Sequence, residues 1–95
     1  MKIFTIYDNA AKAFMAPIFC RHENEAKRIL QTEVNNPQSN LHLYTEDYAL
    51  FSCGEFNPQN GEFITPDYPV KVCSALEMKA LDKSLEEEKQ DVNEQ

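Results

Sequence analysis

Two glycines in 95 residues leave no room for a glycine-rich phosphate loop, and both suit turns or bulges instead. No apolar run approaches the roughly 18 residues of a membrane span, and the N-terminus lacks the layout of a signal peptide. Basic residues are scarce, nine against sixteen acids, for a net charge of −7. That excludes a strongly basic nucleic-acid binder, whose cations cluster and whose isoelectric point is high. Cys20, Cys53 and Cys73 are an odd number with no regular spacing. A secreted disulfide framework is therefore disfavoured and a reducing cytoplasm expected. No internal repeat occurs at any period.

What remains is a small globular composition, 42% apolar and 11% aromatic. A chain of this length buries about 65% of its unfolded surface, enough for one thin core. Charge is unevenly spread. Residues 82–95 hold six acids and two lysines, or −4, while residues 1–81 hold ten acids and seven bases, or −3. The chain thus divides into one domain over 1–81 and an acidic tail over 82–95.

Residues 2–7 are β-branched and aromatic and predict a strand, central or covered on both faces because the apolar residues do not alternate. Asp8 and Asn9 supply turn chemistry. A second extended run, 13–20, contains Pro17, which cannot donate to a ladder and marks an edge or a bulge. Glu23 to Asn35 predicts a helix with Ala26, Ile29, Leu30 and Val34 on one face and a Glu23–Lys27 pair. Pro37 ends it, and 38–46 reads as a connection. Residues 47–56 predict a strand with Tyr48, Leu50 and Phe56 on one face and Ala49, Phe51 and Cys53 on the other. Gly54 interrupts it as a bulge or a close backbone approach. Asn60-Gly61 before Phe63-Ile64 is a hairpin signal, with Gly61 left-handed. After a further short strand over 70–73, Ser74 and Glu77 form a capping box for a helix running into the tail. The fold expected is α+β: a small antiparallel sheet in the order strand-strand-helix-strand-strand, one packed helix, and an acidic helical tail.

Chemistry is sparse. Cys20 lies two residues from His22, and cysteine–histidine pairs do make thiolates, yet free cysteine is more often a small buried hydrophobe. Zinc would need a second closely spaced ligand pair beside Cys20 and His22, and His42, Cys53 and Cys73 do not form one. The carboxylates sit in polar stretches and fit a solvated surface. No catalytic residue, metal ligand or cofactor is assigned, and the chain is read as a non-enzyme. Lys2, Lys12, Arg21, Lys27 and Arg28 are interleaved with Phe4, Tyr7, Phe14 and Phe19. A sheet with exposed aromatics and a few cations stacks single-stranded bases, so Lys2, Tyr7, Lys12, Phe14, Arg21, Lys27 and Arg28 form the candidate binding set. In a domain this small, however, burying the rings supplies much of the stability, so they are read first as core. Gly54, Asn60 and Gly61 are assigned as structural turn positions.

The run Asp47-Tyr48-Ala49-Leu50, then Gly54-Glu55-Phe56, a polar turn, and Gly61-Glu62-Phe63 resembles the small nonstructural protein of gokushovirus-like microviruses, the phage open-reading-frame-five family. The opening Met1 to Asp8 is similar too, as are Pro17 with its apolar pair, Ala26 with Arg28, and Val34-Asn35-Asn36-Pro37. The resemblance implies a phage with a single-stranded DNA genome and a protein of the infected bacterial cytoplasm that is absent from the virion. It further implies a role in genome replication, in the switch to single-stranded synthesis, or in packaging. It carries over no catalytic motif, and the region after Ile64 matches poorly.

The expected activity is therefore binding: to phage or host replication or assembly proteins, or weakly to single-stranded DNA, with no membrane involved. The alternatives are an oligomeric scaffolding or assembly protein, and a small Cys/His metal or thiol protein.

Overall fold

The computed structural model describes residues 1–79; the acidic tail expected at 82–95 lies outside them. β1 (Lys2–Asp8) runs through the middle of a six-stranded antiparallel sheet. On one side it pairs with β2 (Ala13–Phe14) and β3 (Ile18–Cys20). These are two pieces of one edge, broken around Pro17, which has no N–H for the ladder. On its other side β1 pairs with β4 (Tyr48–Phe56), whose far edge carries β5 (Phe63–Ile64) and β6 (Val70–Ser74). The central place of β1 explains its unbroken apolar run: Ile3, Phe4, Thr5 and Ile6 are all buried.

α1 (Glu23–Val34) packs on one face of the sheet. Its N-terminus has no side-chain cap from His22, but Glu23 and Glu25 sit in the first turn, where the helix dipole favours negative charge. Glu25 also accepts from the Arg21 N–H at 3.2 Å, and Glu23 pairs with Lys27 at 3.3 Å. Ala26, Leu30 and Val34 are fully buried. Ile29, predicted on the same face, is exposed instead: it sits on the flank of the buried stripe, beside Arg28 and Glu33.

The stretch read as a plain connection holds two short helices, α2 (Asn40–Leu43) and a 3-10 turn over Thr45–Asp47. Local polar bonds build them. Ser39 caps α2 by accepting from the Leu41 N–H, and the buried Thr45 hydroxyl donates to the Leu41 carbonyl at 2.8 Å. Polar composition alone hid this, because serine and threonine organise backbone as readily as they solvate it.

Phe4, Ile6, Cys20, Leu50 and Cys73 from the sheet meet Ala26, Leu30, Val34 and Leu41 from the helices in one core. Residues 75–79 begin a further helix that adds Ala75 and Met78. Its capping box is formed: Glu77 N–H donates to Ser74 Oγ at 3.1 Å, and Ser74 N–H to Glu77 Oε2 at 3.4 Å.

A bulge reorganises β4. Phe4 lies opposite Ser52 while the adjacent Ile3 lies opposite Gly54, so Cys53 is the extra residue. An inserted residue reverses the side-chain alternation beyond it. Phe56 therefore leaves the face of Tyr48 and Leu50, against the simple alternation read from sequence, and joins Phe19 and Phe63 on the other. Gly54 has φ 119°, and a Cβ there would collide with the Ile64 carbonyl oxygen, so the position needs glycine twice over.

Candidate functional site

The helices cover one face of the sheet. The register defines the other, where Ile3, Thr5 and Tyr7 of β1 lie beside Phe19 and Phe14 of the edge and Phe51, Gly54 and Ala49 of β4. Phe56 and its cross-strand partner Phe63 continue this face past the bulge. Six aromatic rings thus share one side of the sheet.

The rings fall into two groups. Phe14 packs on Tyr7 with centroids 4.7 Å apart and meets Phe51 edge-on at 5.5 Å; Tyr7 and Phe51 are 6.1 Å apart. Phe56 lies 4.8 Å from Phe63 and 6.0 Å, edge-on, from Phe19. Such tilted and edge-to-face geometry is the preferred one for aromatic pairs, so the rings hold each other in place. They are not sealed. Phe14 is 47% exposed, Phe19 44% and Phe63 59%, far from the 1% of Phe4 in the core.

Charge on the strands of this face differs from charge at its border. Lys71 lies opposite Phe51, and no strand position on the face carries a carboxylate, although the described residues include ten acids. Acids border it, however: Glu46 and Asp47 of the 3-10 turn line a cavity of about 250 Å³ together with Tyr7, Ala49, Phe51 and Lys71, and Glu62 adjoins Phe63, whereas Glu23, Glu25 and Glu33 belong to α1.

The candidate binding set is split by the fold. Tyr7 and Phe14 lie together on the open face. Lys12 is exposed in the turn two residues before Phe14, at φ 56°, with its Nζ donating to Asn9 Oδ1. Lys2 is exposed at the start of β1, on the alternate set of positions from Ile3 and Tyr7. Arg21 occupies the bend between β3 and α1, while Lys27 and Arg28 belong to α1, across the sheet from the rings. Of the four aromatics read first as core, only Phe4 is; strand alternation sends Tyr7, Phe14 and Phe19 to the other side. Asn60 and Gly61 make the hairpin turn: Gly61 has φ 76°, and Asn60 Oδ1 accepts from the Glu62 N–H at 2.9 Å.

Phe51, Phe56, Phe63 and Lys71 complete the face without having been singled out in the sequence. Phe51 was visible as the partner of Ala49 in the alternation. Phe56 was hidden by the bulge, and Phe63 and Lys71 by strands too short to show a period.

The thiols are poorly suited to nucleophilic work. Burial pushes Cys20 up from its ordinary 9.0, and the nearby Glu25 adds to the rise; burial likewise raises Cys53 and is the main cause at Cys73. Cys20 is enclosed in the core whereas His22 is exposed at the start of α1. His42 is held by its Nδ1, 2.8 Å from the Val34 carbonyl oxygen. Among the described residues no three His, Cys, Asp or Glu side chains are grouped closely enough to hold a metal ion. No helix among them is long and apolar enough to cross a membrane.

The family model described as Phage ORF5 protein matches residues 1–78. No curated protein and no solved structure matches the chain.

Proposed function

The chain belongs to the Phage ORF5 protein family, and from that premise we propose that it is a non-enzymatic accessory protein of a single-stranded DNA phage, working through the open face of its sheet. It acts in the host cytoplasm during genome replication or the switch to single-stranded synthesis and packaging. Its ligand is single-stranded DNA, held mainly by stacking.

One observation carries this reading: six aromatic rings, three of them about half exposed, share a sheet face whose strand positions carry no carboxylate, on a protein of net charge −7. Every base has a π-face, so a ring platform binds single strands with little sequence preference. Duplex DNA keeps its bases stacked inside and has little to offer such a surface. Few cations border the face, so the electrostatic contribution is small and the salt dependence shallow for a DNA binder.

The test is a titration of labelled oligothymidylate at low and moderate salt. Binding at low salt that weakens modestly with added salt, with little affinity for duplex, is expected. No binding at low salt overturns the direct-DNA reading.

The acidity of the chain favours a second reading, in which the same face holds a replication or assembly protein or a second copy of the chain. That reading predicts a concentration-dependent rise in sedimentation rate, or partners that survive nuclease during capture from infected cells.

A further inference from the structure

We infer that the open face docks a second copy of the chain, face to face and with the strands reversed, so that each ring group lies on the other ring group of its mate. The inference rests on the second reading above, in which the face holds a protein, and names that protein.

Surface area argues for a copy. At roughly 200 Å² per ring, the exposed parts of Phe14, Phe19 and Phe63 amount to about 300 Å², and the partly exposed Tyr7, Phe51 and Phe56 add about 100 Å². Two copies together therefore cover about 800 Å² of ring surface. A standard interface buries about 1,600 Å², a little over half of it apolar, so the rings alone supply nearly the whole apolar share of a stable dimer. Two chains of net charge −7 repel each other, but no strand position on this face carries a carboxylate, whereas α1 on the other side carries Glu23, Glu25 and Glu33.

The layout is self-complementary. Tyr7, Phe14 and Phe51 cluster toward the Thr5-to-Tyr7 end of β1, and Phe19, Phe56 and Phe63 cluster around Met1 and Ile3. Rotation about a two-fold axis that crosses the strands between the groups exchanges the ends, so each cluster meets the other. Near that axis lie Ile3 and Thr5, both buried, and Gly54, which has no side chain. Two sheets stacked about 10 Å apart fit there, with the rings interdigitating on either side.

Charge fixes the direction. Glu46 and Asp47 line a cavity with Tyr7, Phe51 and Lys71 at one end. At the other, the Met1 ammonium donates to the Phe56 carbonyl oxygen at 2.9 Å and Glu62 adjoins Phe63, while Lys2 lies opposite Glu55 on the alternate set of positions. Laying like ends together would set the Glu46–Asp47 pairs of both copies against each other. The reversed order sets each pair toward a Met1 ammonium instead. It also sets each Lys71 toward a Glu62, because β5 and β6 both flank the far edge of β4 and keep that side under the rotation. A dimer covers the rings, so a single strand reaches them only on separated copies.

Sedimentation velocity of the full chain over a concentration series, at low and moderate salt, tests this. The native chain should dimerise, and more tightly at moderate salt, where repulsion between two acidic copies is screened. Phe14→Glu and Phe19→Lys should each weaken the dimer about tenfold or more, the loss of one packed aromatic anchor. Mixed in equal amounts, the two variants should dimerise again, since the reversed order sets position 14 of one copy beside position 19 of the other. Phe63→Ser, at the most exposed ring of the face, should weaken the dimer likewise and serves if Phe19→Lys lowers the thermal midpoint. Strict monomers at every concentration and salt overturn the inference, and the protein-binding reading survives only if nuclease-resistant partners are still captured from infected cells. Native-strength dimers in the single variants place the contact elsewhere and overturn it as well. A mixture that stays monomeric while the native chain dimerises overturns the reversed order.

Discussion

β1 sends Phe4 and Ile6 to one side of the sheet and Ile3, Thr5 and Tyr7 to the other, and the two sides are built for different ends. On the helix side, aliphatic and small residues interlock: Leu30, Ala26 and Val34 against Phe4, Leu50 and Cys73, all buried. On the open side, aromatic rings lean on one another and leave much of their surface in water. Both sides are apolar, so hydrophobicity alone does not separate them. What differs is the covering layer. α1 and α2 seal one face, and among the described residues nothing seals the other. A large apolar patch retained on a small protein marks a surface for binding.

The sharpest way to break the comparison is to truncate one ring on each side. Phe4→Ala should cost about 3–5 kcal/mol in urea unfolding, because it empties a fully enclosed site. Phe63→Ala should cost under about 1 kcal/mol, since that ring is more than half exposed, yet should impair DNA binding. Equal losses of stability would show that the open face is structural after all.

Gly54 sits where β4 changes faces. Gly54→Ala meets both an unfavourable φ of 119° and the Ile64 carbonyl, and should cost about 2–3 kcal/mol. Because the strain falls on the bulge that turns Phe56 outward, oligonucleotide binding should weaken along with the unfolding midpoint. A variant that keeps full stability would contradict the bulge geometry.

A smaller effect concerns closure of the helix side. Ser74→Ala removes the cap of the helix that brings Ala75 and Met78 into the core, and should cost about 1 kcal/mol. DNA affinity should be untouched, which a titration of the variant checks directly.

Alkaline pH separates the sides in a fourth way. The Cys20 and Cys73 thiols on the helix side have pKa values raised by burial, so the folded state keeps their protons after the unfolded chain has released them. Their contribution is fully present below the unfolded value near 9 and declines as pH rises through the higher folded values. Thermal midpoints should therefore fall above about pH 9, with slow thiol alkylation at pH 7. Rapid alkylation of Cys20 at neutral pH would refute the enclosed core.

Much of the helix side was legible from the residues. The spacing of Ala26, Leu30 and Val34, the unbroken run of β1, Pro17 at an edge and the Ser74–Glu77 box each reflect short-range rules, and each took the expected form. The open side was read only in part. Tyr7 and Phe14 were candidates, but Lys27 and Arg28, grouped with them, lie across the sheet, and simple alternation put Phe56 on the opposite face from the one the bulge gives it. Ile29 shows the same limit on the helix, where a periodic position fell outside the stripe that actually meets the sheet.

The sequence by itself determined the main strands, α1, their order and the Asn60-Gly61 turn, because these follow from local sterics, proline and glycine geometry, and side-chain periodicity; it did not determine α2 or the 3-10 turn. It also determined the charge balance and the stock of aromatic residues. Tertiary structure alone decided which rings share a face. That depends on a one-residue bulge and on which side of the sheet the helices cover, and both are settled by contacts between residues far apart in the chain. A shift of one position reverses a strand's faces, so the same ten aromatic residues could have made a thicker core. Folding instead left six of them on an open surface.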